Sequence, residues 1–257
     1  MLVAAAVCPC PPLLVPEVAS GAAPELDPAR TACADALGVL AASRPDRLLV
    51  IGPAPDDDQS TGTTGTTTGT GTGTTPGTAR YPEGTWGSFH GFGVDRTVRL
   101  GGGTPATSPP PLPPSLAVAA WLLERTGWAD APIEGHEVRE PLGAERCIQI
   151  GREFAAGPDE RIALLVMGDA SACRTLKAPG YLDERAEPYD KALARAIGAA
   201  DVAALKALDP ALSRDLKVSG RAPWQILAGA AEAADLSGTL LYEDAPYGVG
   251  YLVATWS

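Results

Sequence analysis

Two cysteines stand close together between prolines near the start of the chain, in the stretch VCPCPP at residues 7–12. Cys8 and Cys10 could be metal ligands, a redox pair or a nucleophile, because the thiolate is the reactive form in each of these roles. A closed zinc site usually takes two close pairs of ligands, and the only other thiol that follows a predicted strand is Cys173. No basic residue adjoins Cys10 to lower its pKa, so the sequence does not favour a catalytic thiol either.

Two carboxylates follow apolar stretches that are typical of buried strands. Asp169 comes after RIALLVMG and Glu243 comes after GTLLY, so each is expected to enter a cleft rather than open solvent. A helix cap would explain Asp169 as well as chemistry does. Cys173 and Tyr247 lie in the same two loops, and with Cys10 they complete the set of candidate site residues.

The chain contains only two histidines, His90 and His136, and neither follows one of the predicted strands. Each is interpreted as a surface or structural histidine. A serine hydrolase would need a histidine near Ser171 or another exposed serine, and the sequence contains no GxSxG elbow. These observations argue against a serine hydrolase.

The elements that must position these residues alternate between strands and helices. Residues 2–7 and 47–52 are continuously apolar, as in strands buried on both faces of a sheet, and the helix between them begins near Asp27. The alternation continues with a strand at 161–169, a single helix over 186–208, a helix at 222–234 and closing strands at 238–244 and 249–256. The pattern predicts an α/β fold with a central, mostly parallel or mixed sheet and helices on both faces.

Ligands of such sheets bind outside the carboxyl ends of the strands. Four segments of this chain occupy those positions. They are VCPCPP, IGPAP, MGDASAC and YEDAPYG.

Two segments interrupt the alternation, although the whole chain, 1–257, is expected to form a single α/β domain. An unbroken Thr/Gly run at 61–75 has almost nothing to bury, which indicates an inserted surface loop or, alternatively, a lid over a site. Its glycines are not a nucleotide loop, since no GK[ST] follows. The Pro-rich stretch 104–114 predicts a stiff connector to a helix that begins near Ser115.

The net charge argues against two classes of partner, and the number of cysteines indicates a cellular location. A formal net charge of -11 repels phosphate backbones and anionic lipids, so neither a nucleic acid nor a membrane surface is expected as a partner. No apolar run reaches the roughly 18 residues that would span a membrane. Five cysteines spread along the chain argue against a secreted disulfide framework, and a cytoplasmic location is expected.

Four segments together resemble the class III extradiol dioxygenase superfamily, which includes the catalytic chain of protocatechuate 4,5-dioxygenase and the Memo-type proteins. The resemblance implies the α/β fold of that catalytic chain and, in active members, a non-haem Fe(II) held by two histidines and a carboxylate. The matching ligand positions here are Cys10, Ala54 and Glu243, and the position of the acid/base histidine is Ala172. The segments are VCPCPPLLVPEV, RLLVIGPAP, LLVMGDASACRTLKAPGYLDERAEPYDKAL and LYEDAPYGVGYLVATW.

Three hypotheses follow from this pattern. The leading one is a diverged member without the iron site and without ring cleavage, which keeps a cleft for a small molecule. The alternative is an active metal-dependent oxidoreductase that holds Fe(II) or Zn(II) through Cys10, Glu243 and either His90 or His136. A third is metal-free chemistry on the same scaffold, through Asp169, Glu243, Tyr247 or Cys173. The resemblance also suggests a homodimer.

Overall fold

The computed structural model describes residues 1–55, 77–104, 109–139, 142–157 and 159–257. Seven strands of these residues form one sheet in the order β3-β6-β2-β7-β1-β9-β8, and β4 and β5 form a separate two-stranded ribbon. The strands are β1 (Leu2–Cys8), β2 (Arg47–Pro53), β3 (Thr78–Pro82), β4 (Trp86–Ser88), β5 (Thr97–Arg99), β6 (Ile133–Val138), β7 (Ile162–Met167), β8 (Gly238–Asp244) and β9 (Tyr251–Trp256).

Helices cover both faces of this sheet. The α-helices are α1 (Pro16–Ala19), α2 (Asp27–Ala42), α3 (Pro114–Thr126), α4 (Ala144–Ala155), α5 (Ala186–Gly198), α6 (Val202–Lys206), α7 (Pro210–Asp215) and α8 (Arg221–Ala230). Short 3-10 helices occupy Pro12–Leu14, Ser20–Leu26 and His90–Phe92. Helices α2 and α3 pack on one face, whereas α5 and α8 pack on the other and α4 lies against α8. The predicted α/β class, with a mixed sheet between two helical layers, is confirmed.

The centre of the sheet is parallel. Strands β6, β2, β7 and β1 run in the same direction, whereas β3 and β9 run against them. Strand β8 is antiparallel to β9 and therefore parallel to β1. The carboxyl ends of all four strands that the sequence identified, β1, β2, β7 and β8, consequently lie along one edge of the sheet.

Strand alternation divides the core into two clusters. On β1, Ala4, Ala6 and Cys8 face the layer of α2 and α3, while Ala5 and Val7 face the layer of α5 and α8. Both faces of β1 are buried, which explains why its sequence is continuously apolar rather than alternating.

The helix predicted over residues 186–208 is two helices. Helix α5 ends at Gly198, and α6 begins after Asp201, whose carboxylate accepts a hydrogen bond from the backbone N–H of Ala204. Ala200 between them has φ 52°, a left-handed conformation that ends a helix. The prediction of one continuous helix was wrong because Asp201 caps a new helix. Helix α8 likewise ends at Ala230, before the predicted limit of 234.

The two low-complexity segments are only partly described. The Thr/Gly run at 61–75 lies outside the described residues. Within the connector at 104–114, residues 109–113 have no regular structure and α3 begins at Pro114. Proline at the first position of a helix loses no hydrogen bond, which makes Pro114 a favourable start.

Candidate functional site

Backbone hydrogen bonds join the strand-end loops at the carboxyl edge of the sheet. The N–H of Gly168 donates to the carbonyl of Cys8 at 3.0 Å, which ties the loop after β7 to the end of β1. The same loop pairs with the start of β9, since Ala170 N–H donates to Gly250 O and Gly250 N–H donates to Ser171 O, both at 2.8 Å. These bonds bring together Cys10 and Asp169, as the sequence predicted for residues at one sheet edge.

Asp169 lies at the centre of this edge. Its Oδ1 accepts a hydrogen bond from the backbone N–H of Cys10 at 2.9 Å, and its own N–H donates to Ser219 Oγ at 2.9 Å. Burial raises the pKa of Asp169 to about 7, and the Cys10 hydrogen bond opposes this rise only in part. Asp169 is not a helix cap, so that explanation was wrong. The geometry supplies a carboxyl group that changes charge near neutral pH.

A close contact between two glycines holds Asp169 beside Ser219. A Cβ placed on Gly168 would lie 2.4 Å from the Cα of Gly220, so only glycine permits this approach. The carbonyl of Asp169 accepts hydrogen bonds from the N–H groups of Ser219 and Gly220 at 3.2 and 3.1 Å. The loop before α8 therefore forms one wall of the site. Sequence analysis missed Ser219, which no motif distinguishes from other loop serines.

The thiol of Cys10 is buried beside Asp169. Burial raises the pKa of Cys10 well above its usual value, the negative charge of Asp169 raises it further, and a hydrogen bond from Ser219 acts in the opposite direction. The thiol therefore stays protonated at neutral pH. Because the thiolate is the nucleophile, Cys10 is poorly suited to nucleophilic chemistry, and it could bind a metal only by losing this proton.

The other positions of the implied iron site offer no ligand beside Cys10. Ala54 follows β2 and donates its N–H to Val138 O at 2.8 Å, and Ala172 is buried in the loop after β7. Glu243 does not lie past its strand, as the sequence suggested, but within β8, where it is exposed and pairs with Leu252. Leu252 belongs to the core cluster on the face opposite to Cys10, so strand alternation directs Glu243 away from Cys10.

The histidines do not replace the missing ligands. His90 is exposed, with Nε2 2.6 Å from Asp95 Oδ1. His136 lies in the middle of β6, with Nε2 2.7 Å from Glu134 Oε1. In the part of the chain that the structure describes, no three His, Cys, Asp or Glu side chains are grouped to hold a metal ion. The alternative set of Cys10, Glu243 and a histidine is therefore not assembled in the structure.

A buried polar network fixes the loop that follows Asp169. Asp190 on α5 accepts hydrogen bonds from the N–H of Ser171 at 2.9 Å, from Ser171 Oγ at 2.8 Å and from Arg174 Nη1 at 3.0 Å. Ser171 and Asp190 are both buried, and a Cβ on Gly250 would lie 2.6 Å from Asp190 Oδ2. Asp190 therefore positions the loops from which the site is built. It escaped sequence analysis because its position resembles an ordinary helix surface.

A pocket of about 470 Å³ lies at the outer end of these loops. Residues 175–177, after β7, form one wall, and residues 246–248, between β8 and β9, form the other. The backbone N–H of Arg174 donates to Gly248 O at 3.0 Å and closes the base between the walls. A second cavity of about 430 Å³ adjoins Trp121, Glu124 and Arg125 of α3, and neither of these loops contributes to it.

Two further candidates from the sequence lie around this pocket. Tyr247 lines the pocket and packs partly against the core. Burial raises the pKa of Tyr247, and the nearby carboxylate of Glu25 raises it further. Cys173 is buried, and its Sγ donates to the carbonyls of Gly180 and Leu216 at 3.5 Å. Burial raises the pKa of Cys173, so this thiol is a poor nucleophile and is best explained as part of the packed interior.

Replacing Asp169 by asparagine is expected to stabilise the protein at alkaline pH. The folded-state pKa of Asp169 lies above its unfolded value, so its ionisation lowers the free energy of unfolding as pH rises from about 4 to about 7. The asparagine side chain keeps the Cys10 hydrogen bond without a charge. A rise of the pKa from about 4 to about 7 corresponds to about 4 kcal/mol. Urea unfolding should therefore show little difference at about pH 4 and a gain approaching about 4 kcal/mol for Asp169→Asn at about pH 8. An equal difference at both pH values would contradict the assignment.

Comparison with known proteins yields a similarity in fold. No family model matches the chain, and no curated protein matches it. A crystal structure of the uncharacterized protein JW3007 from Escherichia coli K12 is similar, with a TM-score of 0.52 over 99% of both chains and 14% sequence identity. At this identity the likeness supports the α/β architecture alone. Among the described residues, no helix is both long enough and apolar enough to cross a membrane.

Proposed function

We propose that this chain is a diverged member of the class III extradiol dioxygenase superfamily that binds a small organic molecule and does not cleave aromatic rings. The four strand-end segments that resemble the superfamily lie along one edge of the sheet, which supports the proposal. The fold alone is not specific to a function, so the proposal depends on the residues of the site.

The observation that carries the proposal is which side chains occupy the positions of the implied iron ligands. A facial triad holds the metal through two imidazoles and a carboxylate on one side. The bound metal would supply Lewis-acid and oxygen chemistry at its open positions. Ala54 and Ala172 end in methyl groups, and Glu243 lies on the face of the sheet opposite to Cys10, which leaves Cys10 as the one ligating side chain of this set. These residues do not fit an Fe(II) or Zn(II) centre, so no step of ring cleavage is assigned to them.

The pocket between residues 175–177 and 246–248 supports the binding role. It lies outside the carboxyl ends of β7 and β8, where parallel sheets bind their ligands. The cavity at α3 is a weaker candidate because none of the four strand-end loops lines it and both of its arginines already have a partner. Arg125 lies over the Trp121 ring at 5.6 Å, and Arg96 pairs with Glu124 at 3.3 Å.

Aerobic turnover of catechols tests the loss of ring cleavage. Protein supplied with Fe(II) and ascorbate should consume oxygen no faster than Fe(II) and ascorbate alone, and no absorbance of a ring-opened product should develop. Catechol cleavage that Cys10→Ala abolishes would contradict the proposal, because it would show a working metal centre that includes Cys10. Asp35→Ala, an exposed position on α2, is the control for a general effect of substitution.

A further inference from the structure

The chain contains few lysines, and only some of them form ion pairs with carboxylates. There are four, of which Lys191 and Lys206 form ion pairs with carboxylates. Among the residues that the structure describes, no carboxylate ion-pairs with Lys177, which lines the pocket, or with Lys217, whose side chain lies against Gly180 at the end of the same loop. Two ammonium groups without carboxylate partners thus flank one loop of a protein with a net charge of -11.

Three carboxylates around this loop are engaged elsewhere, whereas Glu184, also in this loop, forms no ion pair with a described residue. Asp183 and Asp215 both bond to Arg185, at 2.8 and 3.3 Å. Asp190 bonds to Arg174 inside the fold. Because arginines already pair with these carboxylates, the ammonium group of Lys177 remains available to a ligand.

The rest of the pocket is mainly apolar, although Thr175 also lines it. Leu176, beside Lys177, exposes 61% of its surface and so offers apolar surface to a ligand. Pro246 and the ring of Tyr247 form the facing wall. Such a site combines apolar surface for a ligand body with one charged group that orients the ligand.

We infer that this pocket takes an organic anion, whose apolar body lies between Leu176 and Tyr247 and whose negatively charged group contacts Lys177. The inference rests on the proposed binding function of the same pocket and adds the chemical class of its ligand. The negative charge of the rest of the chain gives no long-range attraction for an anion. Recognition therefore depends on the local contact with Lys177, which salt screens.

Two fluorescent probes test this inference. Anilinonaphthalene sulfonate is an anion with an apolar body, and phenylnaphthylamine has the same ring system without the sulfonate. Titrations of the full chain would compare wild type with Lys177→Met, Tyr247→Ala and Lys191→Met, the last being a matched control because Lys191 pairs with Glu187 on α5. We expect Lys177→Met to weaken sulfonate binding up to about fivefold, since a solvent-exposed ion pair is lost, and to leave binding of the neutral probe within about twofold.

The outcomes separate this inference from the proposed function. Tyr247→Ala should weaken both probes, and added salt should weaken only the sulfonate. If the neutral probe binds in a Tyr247-dependent manner while Lys177→Met leaves sulfonate binding unchanged, the anion inference is wrong and the pocket remains a binding site. If neither probe binds, or if Tyr247→Ala affects neither, both the inference and the proposed binding function are wrong.

Discussion

Asp190→Ala is expected to lower the free energy of unfolding by about 3–5 kcal/mol, the usual consequence of removing one partner from a buried charged network. The substitution leaves the N–H and hydroxyl of Ser171, and the guanidinium of Arg174, without their acceptor. Ser171 is buried, so water cannot readily replace the lost carboxylate. Urea unfolding with circular dichroism measures the change.

Loss of Asp190 should also affect the pocket. Arg174 forms the junction between the loop after β7 and Gly248, and Asp190 holds Arg174 in place. Binding of phenylnaphthylamine to Asp190→Ala should therefore weaken even where the variant is still folded. Glu187→Ala, on the same helix but at an exposed position, should change neither property appreciably. Wild-type stability in Asp190→Ala would contradict the structural role assigned to this residue.

Gly168→Ala is expected to cost about 2–3 kcal/mol of stability, as overpacking of a rigid contact usually does. The new Cβ would lie 2.4 Å from the Cα of Gly220 and 3.2 Å from its nitrogen. Both are backbone atoms, so no side chain can rotate away to relieve the clash. The loop that carries Ser219 must then move, which breaks the hydrogen bond from Asp169 N–H to Ser219 Oγ.

Gly38→Ala is the matched control for this prediction. Gly38 lies in the exposed part of α2, and a Cβ there would meet no atom within 4 Å. Alanine should therefore stabilise the protein by about 0.5–1 kcal/mol through its higher helix propensity. Equal effects of the two substitutions in denaturant unfolding would mean that the Gly168–Gly220 contact is not close.

The sheet edge was predictable because buried parallel strands have a plain signal in sequence. The apolar runs that end at Cys8, Pro53 and Met167 are strands, and strands of one direction must share a carboxyl edge. Cys10 and Asp169 could be placed together on that basis. The burial that moves the pKa of Asp169 could not be predicted, because it depends on residues distant in sequence such as Ser219.

Glu243 shows the limit of the same reasoning. The run GTLLYED was correctly identified as a strand, but which face each residue occupies depends on a register shift between Leu240 and Tyr242. That irregularity cannot be inferred from composition, and a shift of one residue moves a side chain to the opposite face. Asp190 was missed for a related reason, because its partners Ser171 and Arg174 meet it only in the folded chain.

Elemental analysis of metal content tests the central claim most directly. The protein would be purified anaerobically without a metal-binding tag, offered Fe(II) or Zn(II), and freed of unbound metal by gel filtration. Since no three His, Cys, Asp or Glu side chains are grouped to hold a metal ion in the described part of the chain, we expect less than about 0.1 metal ion per chain. Near-stoichiometric iron or zinc that Cys10→Ala removes would contradict this account and restore Cys10 as part of a working metal site.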